Sequence, residues 1–347
     1  MASIFFKSSV FFLFAGCTIA SLPPAVPQAE LEAEVESQRA LAAQTLRDNT
    51  QHIADLSWPI VANNAALCAN FVEYRSGLWI AHEQHVPTSW FDSRDESKLR
   101  IGEEAEIWGI AKDSPAATTV LAVGDRILSI ADEVVSNSKR ARGVLSKALA
   151  ASEGKPIALR AARGKQTIEV ELGSVATCRS KIRVTSRSSI NAKANGRTIT
   201  INNGLIDFAR NDEELQFVIA HELAHNVASH VPKARAGAGI GLVFDIALAG
   251  YGRVWAGGVF SYLGARAMSK KYEREADYLA MYYLANANVD LNGIESFWRR
   301  MASMDASSTG FALTHPSTPE RFVMMRMTRD EIEEKRVNGE GLVPESK

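Results

Sequence analysis

A chain of 347 residues with 46% hydrophobic content is long enough to bury a sizeable core and to divide into two domains. Its 39 basic and 40 acidic residues leave a net charge of −1, so nothing marks an electrostatic footprint for nucleic acid. The short cluster Lys139-Arg140-x-Arg142 reads as a solvated face.

The chain opens with Lys7 and the apolar run Val10 to Ala15, too short to span a membrane as an ordinary helix but suited to a signal peptide over residues 1–20. The mature chain is then expected outside the cytoplasm, in a bacterial periplasm. Cys17 follows Leu13-Phe14-Ala15-Gly16, which resembles a bacterial lipobox, with small residues at the two preceding positions. A lipid on Cys17 would anchor the protein to the outer membrane; cleavage after Thr18-Ile19-Ala20 is the alternative and would leave it soluble. Of the three cysteines, Cys68 and Cys178 then remain, and two cysteines in an oxidising compartment suggest one disulfide. No CxxC is present to argue for a second zinc site. The Pro-rich stretch Leu22 to Pro27 reads as a tether. Residues Ala29 to Ile53, rich in alanine and acids, are expected as an amphipathic helix that packs on the core as scaffold.

A β-domain follows. Glu106 to Ile110 reads as a strand, Asp113-Ser114-Pro115-Ala116-Ala117 as a turn, Val123 to Leu128 as turn then strand, and Ser138 to Leu149 as an amphipathic helix. Strands Pro156 to Ala162 and Gln166 to Leu172 are joined at Arg163-Gly164. This order, with its Ser-Pro-Ala-Ala and Gly-Asp signatures, resembles a PDZ domain over residues 100–176. The resemblance implies a groove between a strand and the helix that takes an extended peptide by strand addition.

His221-Glu222-Leu223-Ala224-His225 is the most informative segment. At about 100° per residue, histidines four apart lie roughly 40° apart on one helix face and can share a metal ion. Neutral imidazoles suit zinc, and Glu222 is set to take a proton from a metal-bound water. Asn211 is the expected N-cap, with Glu214 three residues on; Leu215, Phe217, Val218 and Ile219 supply the buried side, and Pro232 closes the run. Residues 234–268 are apolar and glycine-rich, but Asp245 and Arg253 interrupt them, so two buried or membrane-surface helices are expected rather than a transmembrane hairpin. Further on, Glu273 and Asp277 stand four apart on one helix face while Glu275 points about 160° from Asp277, which favours Glu273 as third ligand. Asp277 can then orient a zinc histidine from behind.

Other histidines read as structural. His230 falls about 140° around the helix from His225 and one position short of a longer three-histidine pattern. His82-Glu83-Gln84-His85 has spacing three with Pro87 close behind, and His52 stands alone.

The set His221-Glu222-x-x-His225, Glu273-x-x-Ala276-Asp277 and Thr314-His315-Pro316 with Arg321 resembles the zinc metallopeptidases that include HtpX, the CAAX prenyl protease and BepA. The resemblance covers roughly residues 180–330, with Asn191-Ala192 and Ile199 to Leu205; Lys270 departs from a common arginine. It implies a gluzincin fold, one Zn2+ ion and internal peptide-bond hydrolysis. It also implies that His315 sits at the open zinc position and holds the enzyme latent, and that Arg321 steadies that loop or the developing oxyanion.

The expected fold class is α+β: a mostly helical gluzincin domain with a small sheet over 177–347, plus an inserted PDZ-like β-domain over 100–176, after a linker and helical segment over 21–99. The expected function is envelope proteolysis of unfolded or misassembled proteins, with substrate extended along Arg197 to Asn203 as a half-exposed edge strand. Expected partners are extended polypeptides, a peptide in the PDZ-like groove and the membrane through a lipid anchor. The rival reading is a periplasmic chaperone or adaptor with a latent metal site, against which an intact Glu222 weighs.

Overall fold

The computed structural model describes residues 24–68, 71–82, 84–85, 100–101, 103–230, 259–303 and 319–345. It divides into two units, residues 1–38 and 39–347. The first unit, where described, is the exposed start of helix α1 (Gln28–Ala62), supported by one-turn side-chain bonds from Gln28 to Glu32 and from Gln38 to Glu34.

In the second unit, α1 continues from Arg39 and buries Leu46, Ile53, Ala54, Ile60 and Val61 in a large core. Pro59 cannot donate a backbone hydrogen bond, and the helix ends one turn later. Asn64 closes that end by donating to the carbonyls of Ile60 and Tyr283, at 2.8 and 2.9 Å.

Thirteen short strands follow among the described residues. Strands β1 (Val72–Arg75) and β2 (Leu78–Ile80) come before a two-residue pairing of β3 (Gln84–His85) with β4 (Arg100–Ile101). Then come β5 (Ile107–Ile110), β6 (Arg126–Ile130), β7 (Glu133–Val134), helix α2 (Ser138–Ser152), β8 (Ile157–Arg163), β9 (Gln166–Leu172) and β10 (Val175–Cys178). An antiparallel sheet runs β7-β6-β8-β9, while β2 pairs with β5 and β1 with β10. Strands β1 and β2, in the stretch expected as linker, thus pair with β10 and β5. Gly77 makes the corner between β1 and β2: its φ of +81° suits glycine, and a Cβ there would lie 2.2 Å from Ser114.

Alternation along β2 and β5 serves two cores at once. Leu78, Ile80 and Ile107 face the β-domain interior with Ile127, Leu145 and Leu159, whereas Trp79 and Trp108 face the helical core. Gln51 on α1 completes β5 like a partner strand, accepting from the Ile110 amide and donating to its carbonyl, both at 2.8 Å.

The remaining elements are β11 (Lys181–Thr185), β12 (Ala192–Ala194), β13 (Thr198–Asn202) and helices α3 (Asn203–Phe208), α4 (Asp212–Val227), α5 (Val259–Asn286), α6 (Glu295–Ser303) and α7 (Pro319–Val337). The chain is thus α+β. Its last sheet runs β11-β13-β12, with β13 parallel to β11 and antiparallel to β12. The strand expected at an edge is central, and four of its five residues are buried. Its polar side chains are satisfied by neighbours rather than solvent: Thr200 accepts from Arg183 at 3.0 Å, and Asn202 accepts from Thr185 at 2.8 Å. Among the described residues, no helix is long and apolar enough to cross a membrane. Residues 234–258 lie outside the described residues, and 259–268 belong to α5.

Candidate metal centre

Helix α4 starts where cap chemistry dictates. The Asn211 side chain accepts from the Glu214 amide at 3.1 Å, and Asp212, Glu213 and Glu214 place negative charge at the positive end of the helix. Glu214 is itself anchored, accepting from the Arg210 amide at 2.9 Å and from both terminal nitrogens of Arg300 at 2.6 Å. Further along α4, His221, Glu222 and His225 are all buried. Helix α5 packs against α4 and presents Glu273 to the two histidines.

The three side chains converge. The two Nε2 atoms lie 3.1 Å apart, Glu273 Oε2 is 3.4 Å from His221 Nε2, and Glu273 Oε1 is 3.3 Å from His225 Nε2. Ligand atoms about 2.1 Å from a tetrahedral zinc ion would be separated by roughly 3.4 Å, so the triangle has the size of one face of such a site. The donor set, two imidazoles and a carboxylate, is also what a catalytic zinc uses when it keeps a fourth position open.

Behind the ligands stands a second layer. His221 Nδ1 is 2.9 Å from Asp277 Oδ1, and Asp277 accepts from Arg321 Nε at 2.6 Å and Nη2 at 2.7 Å. Arg321 Nη1 also approaches Glu273 Oε2 at 3.3 Å, and its guanidinium lies 4.2 Å from the Trp298 ring centroid. Burial opposes charge on His221, but Asp277 and Glu273 outweigh it and raise its pKa to about 9. Burial likewise pushes the Asp277 carboxyl up, and Arg321 and His221 hold it below the usual range. The site therefore favours positive charge where the imidazoles meet, which a divalent cation would supply.

The structure thus brings together His221, Glu222, His225, Glu273, Asp277 and Arg321. Arg321 is 2% exposed, with Nε and Nη2 on Asp277 and Nη1 toward Glu273, so among the described residues it braces the candidate ligand shell. Cys68 and Cys178 form a disulfide with Cα atoms 5.5 Å apart. His315 and Cys17 lie outside the described residues. His52 meets Asp212 at 3.1 Å. His82 is pushed down to about 3, first by burial and then by Arg142, Arg183 and Lys181, and belongs to no metal cluster among the described residues. His230 turns back onto His225, a contact that helix spacing did not foresee.

Residues 172–328 match the model of Peptidase family M48. The matched segment contains His221, His225 and Glu273, so over the candidate metal centre the chain is similar to this peptidase family. Mitochondrial metalloendopeptidase OMA1 of Schizosaccharomyces pombe (strain 972 / ATCC 24843) is 28% identical over 133 residues, 36% of this chain and 39% of that protein. The chain therefore aligns with about two fifths of the length of this relative. A solved HtrA3 PDZ domain bound to a phage-derived ligand is similar at 15% identity over 30% of this chain and 89% of its own; its TM-score of 0.19 carries no argument.

Proposed function

We propose that the chain is a zinc-dependent endopeptidase of the bacterial cell envelope that degrades unfolded or misassembled envelope proteins. The single observation that carries the reading is the convergence of His221, His225 and Glu273 within 4.8 Å, with Glu222 buried on the same turn of α4. A zinc ion held by these three residues would lower the pKa of a water and polarise the scissile carbonyl. Glu222 would serve as the base beside it, holding a proton on a carboxylate oxygen and passing it to the leaving amine nitrogen. Asp277 keeps the His221 proton on Nδ1, which leaves Nε2 as ligand atom, and Arg321 keeps Asp277 ionised.

Because β13 is central, the substrate strand is assigned instead to β12 (Ala192–Ala194), an outer strand among the described residues that packs against α4. A second binding surface is supported by a cleft of about 380 Å3 whose lining includes Gly77, Leu78, Arg142, Leu145 and Lys181, between β2 and helix α2. In this reading it is the PDZ-like groove, running from β2 rather than from a strand after residue 100, and its basic rim suits a carboxylate. The disulfide supports an oxidising compartment. Lipidation at Cys17 and latency imposed by His315 complete the proposal.

Incubation of the purified protein with zinc and an unfolded protein such as casein tests the activity. Cleavage that disappears in Glu222→Gln supports the reading, and full cleavage by Glu222→Gln overturns it. The attachment is tested by fractionation: Cys17→Ser should release a membrane-recovered protein, whereas an unmodified mature chain beginning at Ser21 would reject the anchor. His315→Ala should raise basal proteolysis with zinc retained; unchanged activity would remove the latency step.

A further inference from the structure

The geometry points to His230 and Glu275 as a positioning pair that sets the tautomer and ring orientation of the metal ligand His225. Helix α4 ends at Val227, and Ser229 adopts a left-handed φ of +56°, which reverses the chain. His230 therefore does not continue the regular spacing of α4, and its side chain is 2% exposed against His225. Its Nδ1 lies 3.0 Å from His225 Nδ1, its Nε2 lies 3.3 Å from Glu275 Oε2, and its ring stacks on Tyr272 at 4.5 Å and 17°.

These contacts allow a single proton arrangement when His225 is a ligand. His225 faces His221 and Glu273 with Nε2, so its own proton sits on Nδ1 and is donated to His230 Nδ1. His230 accepts there only if its proton is on Nε2, and the Glu275 carboxylate, 3.3 Å away, acts on that end of the ring by its charge without forming a hydrogen bond. Glu275, on the α5 face opposite the ligands, thus reaches the metal site from behind. The two ligand histidines are backed by different chemistry: His221 directly by a carboxylate, His225 through an intervening imidazole. Partners of this kind typically change metal affinity by about 10–100-fold.

The inference rests on the metal site proposed above, and its test separates the two. Zn2+ affinity of the full chain is measured by competition with a chromophoric chelator, alongside the unfolding temperature of the metal-free protein. His230→Phe keeps the ring on Tyr272 but has no acceptor, and should weaken Zn2+ binding by about 10–100-fold with little change in unfolding temperature. His230→Asn puts an amide oxygen near the former Nδ1 and should recover most of that loss. Should His230→Phe fail to fold, Glu275→Ala decides, because Glu275 is 43% exposed and its removal should still weaken Zn2+ severalfold. Equal affinities for the Phe and Asn variants, or wild-type affinity in Glu275→Ala, would overturn the positioning role while leaving the metal site intact. Wild-type protein that takes up no Zn2+, like a His221→Ala control, would instead overturn the metal site and this inference with it.

Discussion

Arg321 grips Asp277 at both carboxylate oxygens, Nε to Oδ2 at 2.6 Å and Nη2 to Oδ1 at 2.7 Å, and so ties helix α7 to the histidine ligand on α4 by way of α5. Both partners are buried, so truncating one leaves the other charge stranded. Arg321→Ala should cost about 3–5 kcal/mol in chemical denaturation of the metal-free protein. Arg321→Lys, which lacks the planar fork, should recover only part of this. A loss below about 1 kcal/mol for Arg321→Ala, the value of an ordinary exposed pair, would show that Asp277 does not depend on it.

The proposed mechanism makes Glu222 a base and not a ligand, so chemistry and metal content should separate. In Glu222→Gln, zinc measured by atomic emission should remain near one per chain while turnover falls by about 10²–10⁴ or more. His221→Ala should lose both. Zinc loss in Glu222→Gln would reassign this residue to the ligand set.

Glu214 carries a pH-dependent share of stability. Burial pushes its carboxyl up, but hydrogen bonds from Arg300 and the Arg210 amide outweigh burial and hold it below the ordinary value. A depressed folded value means that stability is fully present above the unfolded value of about 4.3 and is lost as pH falls through the folded one. Urea denaturation at pH 6 should find Glu214→Gln less stable than wild type by about 2–4 kcal/mol, and at pH 3 the gap should narrow. A gap independent of pH would assign the stabilisation to packing.

The Cys68–Cys178 bridge spans 110 residues of sequence. Closing so long a loop stabilises by up to about 4.7 kcal/mol in the chain-entropy model. The double change to serine should lower the unfolding temperature by several degrees, and alkylating reagents should label the wild-type pair only after reduction. Prompt labelling without reductant would exclude the bridge.

What the sequence revealed was local chemistry. Asn211 capping Glu214, the four-residue steps His221 to His225 and Glu273 to Asp277, and the hairpin at Arg163-Gly164 depend on backbone period and near neighbours, and the structure contains each. What stayed hidden depended on partners distant in sequence. Alternation in Thr198–Asn202 shows that a strand has two faces but not which strands flank it, and buried Thr200 and Asn202 look like surface residues until Arg183 and Thr185 are seen beside them. β1 and β2 are three or four residues long, too short for periodicity to speak. His230 stays outside the metal cluster, and its contact with His225 was not legible because helical spacing says nothing past Val227, where Ser229 takes a left-handed φ.

Because the disulfide closes the neck of the excursion from Cys68 to Cys178, a single backbone cut at any bond between them leaves one covalent molecule. A protease that nicks itself there would gain the mass of one water and still migrate as one species until the bridge is reduced. For a cut between β2 and β5 the two pieces would be held together by the bridge as well as by the pairing of β1 with β10 and of β2 with β5. Internal cleavage in this region would consequently change chain connectivity at the cost of one added water, and its fragments would separate only under thiol.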